Sequence, residues 1–224
     1  MRKYIRTPED PVLDSSVMSA VKFPGMHPGR REGKMLIGPD RVFGEYRLGN
    51  INASRMQLVV ITYNPGGHTT KHIHDNQVQA YYIVLGEAAV TIGDDEVLLS
   101  PGGIALIPPG VPHGFRNVGV GLLSLLDIHS YLFEDVPASN IGIAEVIYGP
   151  NGHTGTHSHQ DRAEAYFLVS GRLSICVEDE EAMVGAGTVA YIPRNHQHRY
   201  RSVSGEPLKM IVVSSHDLAQ PHPL

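Results

Sequence analysis

Tryptophan is absent from the chain, and there is one cysteine, Cys176. A lone thiol excludes an internal disulfide and a thiolate metal cluster, so any metal must rely on nitrogen and oxygen donors. Nowhere do about 18 apolar residues run together, the length a membrane-spanning helix requires. The start, MRKYIRTPED, passes into proline and acid rather than an apolar leader. No membrane partner is expected, and the expected location is cytoplasmic. Charge of one sign is scarce as well: 18 Lys plus Arg face 23 Asp plus Glu, with a formal charge of −5 and no basic run to track a phosphate backbone. That argues against nucleic acid as a partner. A G-x-S-x-G elbow and a Gly-rich phosphate loop are both missing. Cys176 sits in the apolar stretch LSICVE, where a small buried strand residue is the default, so a nucleophilic serine or cysteine has no support.

What is abundant is histidine, 13 residues, together with 24 glycines and 16 prolines. Many of them recur at one spacing. The segment PGGHTTKHIHDNQVQAYYIVLG from Pro65 returns as PNGHTGTHSHQDRAEAYFLVSG from Pro150, an offset of 85 residues. The offset pairs His72 with His157, His74 with His159, Tyr81 with Tyr166 and Gly86 with Gly171. It continues through Gly102 with Gly187, Pro108 with Pro193 and His113 with His198. The chain therefore carries two copies of one domain.

Each copy is a series of short β-branched or aromatic runs cut by Gly, Pro and Asp, as in AYYIVLG and IALIPPG, while helical periodicity is weak. This pattern predicts an all-β chain of two antiparallel barrels or jelly rolls. The repeat places an extended N-terminal arm at 1–43, a first barrel at 44–130, a second at 131–216 and a tail at 217–224, with EDVPASN as the joint.

Alternate side chains of a strand share a face, so His157 and His159 point the same way, and Glu164 and His198 come from neighbouring segments. Three neutral imidazoles and a carboxylate suit iron(II), manganese, nickel, cobalt, copper or zinc rather than calcium or magnesium.

These residues resemble the two motifs of the cupin superfamily. In the second copy His157, His159, Glu164 and Gly171 fit the first motif, with Asn151 where its opening Gly would stand. Gly187, Pro193 and His198 fit the second, with Asn195 and Ser202 in place of its Gly and Asn. In the first copy Gly66, His72, His74 and Gly86 match, and Gly102, Pro108, Gly110, His113 and Asn117 complete the second motif; Gln79 stands where the family has glutamate. The resemblance implies tandem double-stranded β-helix barrels with up to two divalent transition metals per chain. The ligand sets it implies are His72, His74, Gln79 and His113, and His157, His159, Glu164 and His198. An amide offers a carbonyl oxygen but no charge. With a divalent ion the first site is left at +2 and the second at +1, so the first is expected to favour an anionic chelating substrate or to hold its metal less tightly.

Tyr81 and Tyr166, two residues beyond Gln79 and Glu164, are expected on the same inner face, where they would orient substrate while Glu164 moves a proton. Phe115 and Tyr200 read as pocket wall and His68 and His153 as turn residues. His196 has Val111 as its repeat partner and so fails the symmetry test for a ligand. His27, His129 and His216 read as ordinary polar histidines. Asp94, Asp95, Glu180 and Glu181 read as solvated hairpin acids. The leading functional expectation is a mononuclear iron(II) dioxygenase acting on a small diketone, hydroxyketone, catechol-like or keto acid substrate. The alternatives are a non-oxidative isomerase, decarboxylase or lyase on a keto acid or sugar acid, and a non-catalytic ligand-binding protein. A homodimer is the expected partner state.

Overall fold

The computed structural model describes residues 4–7, 26–38, 42–43, 46–47, 51–53, 56–131 and 140–216. The joint at 134–139 and the tail 217–224 lie outside the described residues. All the regular structure described is β-strand. The chain divides into two compact units, Val12–Glu134 and Met1–Pro11 with Asp135–Leu224.

The first unit contains a six-stranded and a three-stranded sheet. The larger runs in the order Ile104–Ile107, Gln77–Leu85, Leu123–Tyr131, Met56–Tyr63, Arg30–Gly38, Ile51–Asn52. The smaller runs His113–Asn117, Ala88–Ile92, Asp95–Leu99. Non-consecutive neighbours within each sheet are the jelly-roll signature, and the buried residues of both sheets form one core of Tyr63, Tyr81, Ile83, Val90, Phe115 and Leu125, among others. The second unit repeats the plan. Its main sheet runs Ile5–Arg6, Val189–Ile192, Arg162–Ser170, Leu208–His216, Asn140–Tyr148, and its small sheet Glu180–Gly185, Arg172–Val177, His198–Ser202.

The arm anticipated at 1–43 contributes to both units. Arg30–Gly38 is a nine-residue strand paired antiparallel with Met56–Tyr63 in the first barrel. Ile5–Arg6 instead extends the opposite edge of the second barrel, Ile5 against Ala190 and Arg6 against Val189. Ile5 is fully buried there, and both Tyr4 N and Ile5 N donate to the Glu180 carboxylate, so Glu180 is no free hairpin acid. An internal repeat can delimit only what is duplicated, and these two strands occur once each.

The glycine-to-asparagine departures from the motif also find their reason. Asn151 and Asn195 hold φ of 63° and 60°, against 73° for both Gly66 and Gly110 at the same places in the first barrel. Asparagine tolerates this left-handed conformation better than other residues with a side chain.

Candidate metal centres

In each barrel the HxH segment is extended but lies outside the regular strands, so alternation still turns both histidines inward. It is tied to the strand carrying the third histidine by an isolated bridge. His72 and His113 exchange two backbone hydrogen bonds of 2.9 Å, and His157 and His198 exchange two of 3.0 and 2.9 Å. The result is two clusters, His72–His74–His113 and His157–His159–His198, each with its ligand atoms within 4.8 Å of one another.

Tautomers follow from the surrounding carbonyls, which can only accept. Nδ1 of His72, His113, His157 and His198 faces the carbonyl oxygen two residues back, at 2.8, 2.8, 2.8 and 3.2 Å. Nδ1 therefore carries the proton and Nε2 presents its lone pair. Arg162 Nη2 lies 3.1 Å from His159 Nε2, and since a guanidinium only donates, that nitrogen too is an acceptor. Burial lowers His113, His159 and His198, and lowers His74 to about 4, with the neighbouring imidazoles adding to the effect. Neutral imidazoles with inward lone pairs, one of them the buried His198 Nε2 without a hydrogen-bond partner, fit a divalent transition metal.

The fourth positions differ. Glu164 Oε2 is 3.5 Å from His159 Nε2 and 3.7 Å from His198 Nε2. Tyr166 donates to that same oxygen at 2.7 Å, and Arg162 Nε to Oε1 at 2.8 Å. Burial alone would raise the Glu164 carboxyl, but Arg162, Tyr166 and His159 together hold it below its ordinary range. In the first barrel Gln79 Oε1 lies 2.8 Å from His113 Nε2, while its Nε2 donates to Asp127 Oδ1 at 2.7 Å and to the Tyr81 hydroxyl at 3.3 Å. His129 Nε2 is 3.0 Å from Asp127 Oδ2, close but not aligned as a hydrogen bond, and its Nδ1 accepts from Gln77 at 2.7 Å. Burial would raise Asp127, yet the His129 ring and the Gln79 amide hold it below the usual carboxylate range.

Asp127, His129 and Arg162 stand behind the fourth positions and are not marked by the motifs. Their repeat partners are Val212, Ser214 and Gln77. Asp127 puts a negative charge behind the neutral Gln79 in the first barrel, and in the second Arg162 lies between Glu164 and Asp161, at 2.8 and 3.4 Å, so the charge difference expected from Gln79 and Glu164 alone is offset. Tyr81 and Tyr166 do face inward, but they are buried under the fourth position with their hydroxyls on Gln79 and Glu164. Phe115 and Tyr200 line the same interiors, Tyr200 bonded to the Tyr148 hydroxyl at 2.9 Å. His68, His153 and His196 stay out of the clusters, His196 packing edge-on against Tyr4.

The model of the cupin domain matches residues 59–129 and again 144–214. The chain belongs to the cupin family. As a tandem cupin it resembles AerE from Microcystis aeruginosa, with a TM-score of 0.71 at 16% identity, over 96% of this chain and all of that one. Oxalate decarboxylase from Bacillus subtilis superposes with a TM-score of 0.69 at 14% identity over 97% of this cupin and 77% of that chain. At such identities the likeness is one of fold. In sequence, the xanthan biosynthesis protein XanB of Xanthomonas campestris pv. campestris is 36% identical over 83 residues, 36% of this cupin and 18% of XanB. The match thus spans under a fifth of that relative. Among the described residues no helix is long and apolar enough to cross a membrane.

Proposed function

We propose that this cupin is a metalloenzyme acting on a small keto acid or sugar acid, with non-oxidative proton-transfer chemistry at the second barrel. The observation that carries the reading is the Arg162–Glu164–Tyr166 group against the second histidine cluster. A divalent transition metal held by His157, His159, His198 and Glu164 supplies Lewis acidity toward adjacent substrate oxygens. Arg162 is partly exposed, 27% of its side chain, and already reaches toward His159 Nε2. Nη1 also contacts Asp161 Oδ1 at 3.4 Å, so once His159 Nε2 serves a metal it is Nη2 that is released to pair with a substrate carboxylate. Glu164, ionised through its contacts with Arg162 and Tyr166, either holds the metal or takes up the proton lost beside the chelated oxygens. Tyr166 stays protonated, because burial and the adjacent Glu164 raise its hydroxyl. It is therefore a donor that fixes the carboxylate, not a base. The partial likeness to a xanthan biosynthesis protein and to a mannose-1-phosphate guanylyltransferase supports a sugar-derived substrate.

Iron(II) dioxygenation is the second reading. It is favoured by Gln79, which leaves the first barrel with three histidines and a neutral fourth group, as in some cupin dioxygenases. One experiment separates the two. The chain, loaded in turn with Mn(II) and Fe(II), is offered a panel of keto acids, sugar acids and diketones in deuterated water on an oxygen electrode. Deuterium incorporation or isomerisation without oxygen uptake is expected. Oxygen uptake matching substrate loss would replace the proposal with dioxygenation, and binding without turnover would make this a ligand-binding cupin.

A further inference from the structure

The first barrel contains a contact that the neutral side chains do not satisfy by themselves. His113 Nδ1 gives its proton to Val111 O at 2.8 Å, so its Nε2 offers a lone pair, and 2.8 Å away is the Gln79 carbonyl oxygen, which also offers one. Turning the amide over would cure that clash and create another: the carbonyl would then point at Asp127 Oδ1, now 2.7 Å from the Gln79 nitrogen, and a carboxylate can only accept, whereas the Tyr81 hydroxyl could donate to either end. Asp127 therefore decides which end of Gln79 meets the histidines. Two acceptors 2.8 Å apart approximate the edge of a coordination octahedron with bonds of about 2.0–2.1 Å, so the orientation imposed by Asp127 is one a cation can use.

We propose that Asp127 is a positioning residue of the first site. It holds the Gln79 carbonyl toward the metal and supplies from one hydrogen bond further out the negative charge that Glu164 supplies directly in the second. The inference rests on the metal-binding reading of the first barrel and goes beyond it in naming a residue outside the ligand set. The surrounding chain is built for this anion. Asp127 and Gln79 lie on adjacent strands, with Tyr81 opposite Asp127 and His129 opposite Gln79 in the register. Asp127 Oδ2 faces His129, whose far nitrogen is held by Gln77, so both carboxylate oxygens have neighbours. In the second barrel Val212 stands opposite Tyr166, where an acid would face Glu164. Each barrel thus has one carboxylate at this place, in a different shell.

A consequence distinguishes this from a merely structural role. Restoring the family's glutamate by Gln79→Glu sets two buried carboxylates against each other and should harm the site, unless Asp127 is neutralised at the same time. The test uses the full chain with His157→Ala as background, so that Mn(II) titration followed by electron paramagnetic resonance reads the first site. Asp127→Asn is expected to weaken Mn(II) binding about 10–100-fold, the usual cost of losing a group that orients a ligand. Gln79→Glu should weaken it comparably or prevent folding. Gln79→Glu with Asp127→Asn should fold and bind at least as tightly as the background protein. Unchanged binding in Asp127→Asn, or Gln79→Glu binding as tightly as the double variant, would overturn the role of Asp127. Absence of any Mn(II) bound by the background protein would instead remove the metal reading of the first barrel on which the inference stands.

Discussion

The two barrels present the same three histidines from the same bridge, yet they balance charge at the fourth position in opposite ways. In the second an anionic group, Glu164, is backed by a cation, Arg162; in the first a neutral group, Gln79, is backed by an anion, Asp127. The two copies share the histidines and differ in the layer behind them. In the second barrel Arg162 is partly exposed and bridges Glu164 and Asp161. The first has its backing anion sealed in, with Asp127 and His129 buried.

The barrels also differ at their edges, and this gives the largest expected effect. Ile5→Ala removes a fully buried side chain from the second core and should cost about 2–5 kcal/mol. Hydrogen exchange should quicken at Val189–Ile192 and Arg162–Ser170 while Gln77–Leu85 keeps its protection; quickening spread evenly over both barrels would show that the arm strand does not belong to the second. Next in size, Arg162→Gln should lower activity on an acid substrate, and Mn(II) affinity at the second site, about 10–100-fold with the first site unchanged. Equal loss at both sites would erase the distinction drawn between the barrels.

The smallest effect is one of pH. His27, bonded to Tyr63, and His74 both belong to the first barrel and are both lowered, chiefly by burial, from 6.5 to about 4. The unfolded chain protonates these rings near 6.5 and the folded chain only near 4, so the unfolded state binds more protons between those values. Stability of the metal-free protein is therefore full above about 6.5 and falls as pH drops toward 4. His27→Gln should make that fall shallower in thermal melts from pH 7 to 4, and an identical slope would contradict the assignment.

Much of the site was legible in the sequence because a metal demands donors at fixed spacing: the offset of 85 residues and the inward HxH pairs led straight to both clusters. The groups behind them were not. Asp127 lies 48 residues from Gln79 and meets it through pairing between strands that are not consecutive, with a bulge between Ser124 and Leu125 shifting the register. A signal did exist: the acid in LLDIHS interrupts an apolar strand where the second copy has Val212. A buried charge seldom stands alone, and that interruption marks a partner to be sought. The two N-terminal strands were hidden for another reason: Ile5–Arg6 is an edge addition and Arg30–Gly38 lies between Met56–Tyr63 and Ile51–Asn52, and neither has a counterpart in the repeat.

Metal content of the chain purified without a histidine tag, compared with His72→Ala and His157→Ala, tests the central claim most directly. Two equivalents of a divalent transition metal in the unaltered protein and about one in each variant is the expected result. Either no tightly held transition metal, or one equivalent that survives both substitutions, would contradict the assignment of a metal centre to each barrel.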